Sequence, residues 1–302
     1  MEGKVALGFD FGTYTTKVSF LRIGKQAKPK ILSISDYSDK QSGLIYSFVS
    51  KDFSKIGYDA WKEYKEGKDN EVIYGFKMEL DNQESYEIAK RFLKAVFDGA
   101  VKILEKEGYK VDIENIRFSA PNSWTLDENA RFLKLLQEII GGGKDIVVRE
   151  PYASAVYYLS DEIFEKAGEK ALIIDAGAGT IDTLLVEITD NKDEPIKEVE
   201  GSYKTLEKAG KYIDKKIKEF YNLQSLYEAE SLKFLISYKF SKGEKKISIK
   251  EKNYYVERKE FEEECMKEWI EEYKRLLKQY EKYKPDYILF AGGLSAFYLV
   301  RN

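Results

Sequence analysis

Histidine is absent from the 302 residues, and cysteine occurs once, at Cys265. Without histidine there is no Ser–His nucleophile pair, no imidazole general base and no imidazole metal ligand. A single thiol closes no internal disulfide and builds no thiolate metal cluster, which suits a reducing compartment. Proline is sparse, at five residues, and no proline-rich or Gly/Ser linker marks a domain border. No apolar run is long enough to span a bilayer. The opening MEGKVALGFDFG lacks the long apolar stretch and small-residue cleavage site of a secretory signal. Basic excess is missing too: the net charge is −3, which leaves no electrostatic footprint for nucleic acid. These absences predict a cytoplasmic protein with neither a nucleic-acid partner nor a membrane span.

Hydrophobic residues make up 43% of the chain and aromatics 14%, ample for packed cores in a length that suits two domains. With histidine and thiolate metal clusters excluded, the chemistry is expected to rest on carboxylates, lysines, hydroxyls, backbone N–H groups and a hard cation such as Mg²⁺.

Hydrophobic patterning predicts strands at 5–11, 17–23, 30–35, 115–120 and 145–149. Helices are predicted at 85–106, 126–140 and 152–166, with Pro151 opening the last. The stretch 36–80 has no clean period. Further on, strands are predicted at 171–175, 183–188 and 286–291, helices at 207–221 and 226–238, a hairpin at 246–256 and one long helix at 258–283. Strands interleaved with helices indicate an α/β architecture.

An internal echo organises this list. Asp10-Phe11-Gly12 and Asp175-Ala176-Gly177 each follow an apolar strand, and a second strand begins at the same offset from each Asp. Any hairpin can carry glycine in its turn; repetition of both the leading Asp and the offset argues for two lobes built alike. Glycine turns bring rows of backbone N–H groups close to phosphate oxygens. Gly12, Gly177 and Gly179 supply that room, and Thr13 and Thr180 supply hydroxyls. Asp10, Asp175 and Asp182 repel phosphate unless a cation or its water shell intervenes, and Mg²⁺ keeps several waters. Other phosphate motifs fit worse. Gly177-Ala178-Gly179 lacks the third glycine of a dinucleotide fingerprint, since Asp182 stands there. Gly143-Lys144 lacks the leading glycine and the hydroxyl of a P-loop.

The motifs resemble those of a known family. Val5-Ala6-Leu7-Gly8-Phe9-Asp10-Phe11-Gly12-Thr13 resembles the first phosphate motif of DnaK-type, seventy-kilodalton heat-shock chaperones. Ile174-Asp175-Ala176-Gly177-Ala178-Gly179-Thr180-Ile181-Asp182 resembles their second phosphate motif. Arg149-Glu150-Pro151-Tyr152-Ala153-Ser154-Ala155 resembles the connecting segment, and Leu289-Phe290-Ala291-Gly292-Gly293 the adenosine motif. The order and spacing match across nearly the whole chain. The middle stretches look more like the divergent heat-shock-like branch that lacks a standard peptide-binding domain.

The resemblance implies a two-lobed actin-like ATPase fold, duplicated ribonuclease-H-like domains with ATP or ADP and Mg²⁺ in a cleft between lobes. The lobes are expected at 1–170, with an insertion at about 36–110, and at 171–302, with an insertion at about 222–260 and the Gly-Gly motif at 286–293. It implies that Asp10, Asp175 and Asp182 order Mg²⁺ and the attacking water, with Asp10 and Asp175 reaching the metal mostly through water. Thr13 and Thr180 touch phosphates, Glu150 joins the magnesium water shell, and Lys77 is the match to a catalytic lysine near the γ-phosphate. Tyr14 and Ala178 fall within the two phosphate turns, where they replace Thr and Gly. Gly210 resembles a glycine near the sugar. Glu230, Lys233, Phe234 and Ser237 lie on a segment resembling the adenine-covering helix, Phe234 replacing an arginine. Gly292, Gly293 and Leu294 form the adenosine turn, Leu294 replacing a small polar residue. The implied activity is a nucleotide-driven switch with an unidentified protein partner or client. An actin-like filament former, a small-molecule kinase and a non-hydrolysing nucleotide scaffold share the same phosphate clamp, and fold alone does not choose among them.

Overall fold

Val5, Leu7, Phe9 and Phe11 alternate with small or polar residues, and this period of two makes β1 (Gly3–Phe11), with the apolar set fully inward. The computed structural model describes residues 3–24, 28–142, 146–159, 167–191, 194–249 and 254–301. They fall into two units, Met1–Glu150 and Pro151–Asn302.

In the first unit, β1 is followed by β2 (Thr15–Arg22), β3 (Lys30–Ile31), β4 (Ile45–Tyr46), β5 (Phe48–Ser50), α1 (Tyr58–Lys65) and β6 (Val72–Tyr74). Then come α2 (Gln83–Lys106), β7 (Tyr109–Ala120), α3 (Leu126–Ile140) and β8 (Val147–Arg149). The main sheet runs β3-β2-β1-β7-β8, with β4 also on β2. β1 pairs antiparallel with β2 and parallel with β7, which pairs parallel with β8. Asn82 starts α2 by accepting from the N–H groups of Glu84 and Ser85. Its apolar face, including Phe92, Leu93 and Val96, joins the core of the sheet. Thr125 and Glu128 close a reciprocal capping box on α3, and Gly141 ends that helix in the left-handed region at φ 77°.

The helix α4 (Glu150–Leu159) belongs to the second unit apart from its first residue, and is followed by β9 (Lys170–Ala176), β10 (Ile181–Ile188), β11 (Ile196–Glu198), β12 (Lys204–Leu206), α5 (Gly210–Phe220) and α6 (Leu226–Ser241). The second unit continues with β13 (Lys246–Ile249), β14 (Tyr254–Glu257), α7 (Arg258–Glu260), α8 (Lys267–Lys278), β15 (Tyr287–Ala291) and α9 (Tyr298–Arg301). Its main sheet runs β11-β10-β9-β15, with β12 also on β10. β9 pairs antiparallel with β10 and parallel with β15. Each main sheet is mixed, and in each the first strand lies between its hairpin partner and a parallel strand that arrives after intervening helices. The division falls at Glu150, before the border expected at 170, because Ala155 and Leu159 of α4 pack with Ala171, Ile173 and Leu184.

Several elements depart from the patterning. The helix expected at 258–283 is broken. α7 passes into a π turn at Phe261–Cys265, Met266 leaves the helical region, and α8 restarts at Lys267. Phe261, Met266 and Trp269 are all buried in one core; the wider turn keeps them on one side where a straight helix rotates them apart. The strand expected at 30–35 covers only Lys30–Ile31. The irregular stretch 36–80 contains β4, β5, α1 and β6, held by Tyr46, Phe48, Tyr64 and Tyr74. The helix expected from 207 begins at Gly210. The strands β11 and β12, unforeseen, cover β10. Of the elements expected at 145–149, 152–166 and 246–256, residues 145, 160–166 and 250–253 lie outside the described residues. No helix among the described residues is long and apolar enough to cross a membrane.

Candidate functional site

The echoed hairpins have one geometry. Asp10 pairs across with Lys17, and Asp175 with Asp182, the same offset in both. In the first turn Gly12 N–H donates to Thr15 O at 3.1 Å; in the second, Gly177 N–H donates to Thr180 O at 2.9 Å. Thr13-Tyr14 and Ala178-Gly179 carry the amides at the two tips. Gly12 is obligatory, since a Cβ there falls 2.3 Å from Thr15 O. At Gly177 the corresponding approach is 3.3 Å, tight but open to small adjustment.

Around the first turn, the carboxyl ends of the parallel strands β1, β7 and β8 gather polar side chains. Asp10 Oδ2 takes Lys17 Nζ at 3.1 Å, both side chains about half exposed. Ser119, brought beside Asp10 by the β1–β7 register, donates to Asp10 Oδ1 at 3.1 Å. Lys77 is 2% exposed. Its ammonium pairs with Glu150 Oε1 and lies 5.6 Å from the Phe11 ring and 5.8 Å from the Trp124 ring, within cation–π reach. Glu150, the first residue of α4, thus spends a carboxylate oxygen on Lys77. Ser47 donates to Gly12 O at 2.7 Å and bonds Thr16 Oγ1 at 2.9 Å, tying the turn to β2. Thr13 is buried. The Tyr14 ring stands edge-on to Tyr46, Phe48 and Tyr74, and its hydroxyl accepts from Trp61 Nε1 at 3.1 Å. Only its backbone remains for a ligand in the turn.

The second turn is bound more tightly into its own unit. Asp182 is 1% exposed. Its Oδ2 accepts from Thr180 Oγ1 at 2.7 Å, and its Oδ1 from Tyr203 OH at 2.9 Å and Thr205 Oγ1 at 2.6 Å. A hydroxyl has one proton, so Thr180, donating to Asp182, has none left on its side chain for a second acceptor. Asp175 Oδ2 accepts from Ser154 Oγ of α4 at 3.3 Å. The amino end of α5 closes on the turn: Gly210 N–H donates to Gly177 O at 3.2 Å and Lys211 N–H to Ala178 O at 2.8 Å. A Cβ on Gly210 falls 3.1 Å from Ala178 Cα, so this glycine serves the helix–turn approach.

Gly292, at φ 78°, sits against the same strand end. A Cβ there falls 2.3 Å from Ala176 O and 2.6 Å from Asp175 Oδ1. Gly293 is open, while Leu294 points into the unit's core. On α6, Glu230 is half-buried and Phe234 is 56% exposed. Lys233 is buried and forms an ion pair with Asp214 of α5 at 2.7 Å. Burial raises the Asp214 carboxyl above its ordinary range, while Lys233 pulls the other way. Ser237 donates to Ala296 O at 2.8 Å and accepts from Tyr298 N–H at 3.1 Å, fastening α6 to the segment after the glycine pair.

The first unit therefore brings together Asp10, Gly12, Thr13, Lys77 and Glu150. The second brings together Asp175, Gly177, Ala178, Thr180, Asp182, Gly210 and Gly292. Ser119, Ser154, Ser47 and Tyr203 are contributors that patterning missed. Only the strand register and the helix packing place them, although Ser119, two residues before Pro121 at a strand end, carried a positional hint. Among the described residues, no group of three or more Cys, Asp or Glu side chains is arranged to hold a metal ion. Each unit taken by itself has a single turn aspartate, Asp10 in one and Asp175 in the other, and Mg²⁺ is an ion that keeps its waters and seldom takes an all-protein cage. No protein-family model and no curated protein matches this chain.

Proposed function

We propose that this chain binds an adenine nucleotide with Mg²⁺ and hydrolyses ATP as a conformational switch. The observation that carries the reading is the pair of hairpins with identical register, each with an aspartate at the strand end, a closed glycine turn and a parallel strand alongside. A carboxylate beside a turn whose backbone N–H groups take a phosphate is productive only when a cation sits between them. The reading takes the units as the lobes of an actin-like ATPase, each ribonuclease-H-like. The matching strand orders support this, as does the resemblance to heat-shock motifs.

ATP supplies the transferable phosphoryl group and Mg²⁺ neutralises its charge, so the protein's part is positioning and electrostatics. Asp10, held by Ser119 and Lys17, would accept hydrogen bonds from the water shell of a bound Mg²⁺. Lys77, a buried cation beside Glu150, offers positive charge to the terminal phosphate. Asp175, held by Ser154, does for the second turn what Asp10 does for the first. Asp182 fixes Thr180 and with it the turn backbone. Gly292 and Gly293 leave room for the nucleoside, and Phe234 presents an exposed ring that stacks on a base. The saturated Asp182 carboxylate also favours a second reading, nucleotide binding without turnover, since this acid has no oxygen without a donor.

Calorimetry with Mg-ADP and a non-hydrolysable Mg-ATP analogue tests the reading. One-to-one binding and a raised melting temperature are expected, because a ligand of the folded state stabilises it by mass action. Absence of heat and of a melting shift with every adenine nucleotide removes it. Phosphate release from ATP separates turnover from binding alone.

A further inference from the structure

Helix α5 begins without a side-chain cap. Ala209 stands at its N-cap, where Ser, Thr, Asp or Asn is preferred, and no side chain accepts from its first amides. The acceptors come instead from the second glycine turn. Gly177 O takes the N–H of Gly210 at 3.2 Å, and Ala178 O takes that of Lys211 at 2.8 Å. In a planar trans peptide the carbonyl and the following N–H point in opposite directions. Engaging these two carbonyls therefore aims the amides of Ala178 and Gly179 away from α5. Neither amide donates to an acceptor among the described residues, and both residues are half-buried rather than enclosed. Successive amides aimed to one side suit an anion. The start of α5 is itself held from α8. The indole Nε1–H of Trp269, a residue 1% exposed, donates to Lys208 O at 2.7 Å. The Lys208 ammonium lies 2.7 Å from both Glu268 and Glu272, one turn apart on α8. Trp269 stacks on Tyr273 at 5.2 Å and stands edge-on to Phe297, which fixes its ring.

We propose that Trp269 and Lys208 are positioning residues for the nucleotide phosphates: from α8 they hold the start of α5, which in turn aims the Ala178 and Gly179 amides at the phosphate. The inference rests on the nucleotide reading above. It gives the second turn its ligand groups, backbone N–H rather than side chain. Ala178 brings only a methyl group, the Thr180 hydroxyl is committed to Asp182, and the Gly177 N–H is committed to Thr180 O. Release of the Lys208 segment lets the start of α5 drift, and the two amides lose their common direction. The first turn has a separate grip. Ser47 donates its hydroxyl to Gly12 O and its N–H to Tyr14 O, both within the first unit. Changes at Trp269 therefore leave the first turn as an internal control.

The test compares wild type, Trp269→Phe, Lys208→Met and Lys208→Arg. Calorimetry gives affinities for Mg-ADP and a non-hydrolysable Mg-ATP analogue. Amide NMR of isotope-labelled protein follows Thr13, Ala178 and Gly179, and gives the affinity for adenosine, which has no phosphate. In wild type, Mg-ADP is expected to shift the Ala178 and Gly179 signals. Trp269→Phe keeps an aromatic ring and removes the indole N–H. Without ligand it moves those same two signals and leaves that of Thr13 in place. It weakens both phosphate-bearing ligands by about fivefold or more, and adenosine by less than about twofold. Lys208→Met weakens them by about threefold, less because its ion pairs are partly exposed, and Lys208→Arg restores wild-type affinity. Equal losses for adenosine and Mg-ADP make these residues general supports of the fold and overturn the proposal. Unchanged affinities, or Mg-ADP bound with the Ala178 and Gly179 signals in place, overturn it too. If Trp269→Phe does not fold, Lys208→Met against Lys208→Arg carries the same comparison. Wild type that binds no nucleotide by calorimetry overturns the nucleotide reading itself, a result visible before any variant is made.

Discussion

Lys77 and Glu150 stand 73 residues apart in sequence and meet as an ion pair at the carboxyl edge of the first sheet, the lysine side chain 3% exposed and the glutamate 17%. Desolvation makes such a pair costly to break, because the surviving charge is left buried. Lys77→Met alone is expected to lower unfolding free energy by about 3 kcal/mol. Lys77→Met combined with Glu150→Leu recovers most of that loss. Urea unfolding of the wild type, both single variants and the double variant gives the coupling energy directly.

Asp10 is half exposed and keeps an acceptor for Ser119 if it becomes Asn. Asp10→Asn is therefore expected to change unliganded stability by no more than about 0.5 kcal/mol. Under the nucleotide reading, Mg²⁺-dependent turnover falls by about a hundredfold or more. Unchanged phosphate release alongside unchanged melting shows that this carboxylate has no part in the chemistry.

Gly12 and Gly177 occupy equivalent turn positions with unequal space. Gly12→Ala places a methyl 2.3 Å from a backbone oxygen, whereas Gly177→Ala places it at 3.3 Å. The first forces the hairpin open and is expected to cost about 3 kcal/mol or more, the second about 1 kcal/mol. Thermal melts of the two variants in parallel check the order, which disappears if the turns are free to relax.

Asp182→Ala leaves the hydroxyls of Thr180, Tyr203 and Thr205 without their shared acceptor inside the protein. A loss of about 2–4 kcal/mol is expected. Asp182→Asn keeps one acceptor oxygen and is expected to lose less. If both substitutions leave stability intact while abolishing nucleotide turnover, the residue belongs to the chemistry rather than to the turn.

Burial pushes the Cys265 thiol up from 9.0 to about 12, with Lys216 opposing and Glu260 assisting. The neutral thiol is thereby favoured in the folded state. Above pH 9 the unfolded chain releases this proton while the folded chain keeps it, so stability falls as pH rises from about 9 towards 12. Alkylation of the native protein by iodoacetamide at mildly alkaline pH is expected to run about a hundredfold slower than in denaturant. Comparable rates in both conditions mean that the thiol is exposed and ionised.

The helix at Leu126–Ile140 and the strand that opens the chain were legible in sequence because their signals are local. A capping residue, a glycine stop and a period of 3.6 or 2 act over a few neighbours. The break at Met266 was not, since the charged face of 258–283 satisfies a straight helix equally well. Only the need to bury Phe261, Met266 and Trp269 together inserts the π turn. Short β-partners such as β11 and β12 also escaped, three residues each, because the edge of β10 selects them rather than any period of their own.

The sequence alone determined that these 302 residues offer no imidazole and no set of thiolates for a metal cluster, that they alternate strands and helices, and that they repeat one aspartate–glycine hairpin at a fixed offset. Tertiary structure alone decided what each aspartate touches. Asp10 acquired Ser119 through a parallel strand register, Asp175 acquired Ser154 from a helix, and Asp182 was enclosed by Tyr203 and Thr205 from the segment that covers β10. Hydrogen bonds between residues far apart in the chain leave no periodic trace. Three acids written alike in sequence therefore became one half-exposed carboxylate, one held by a helix serine and one fully saturated anchor.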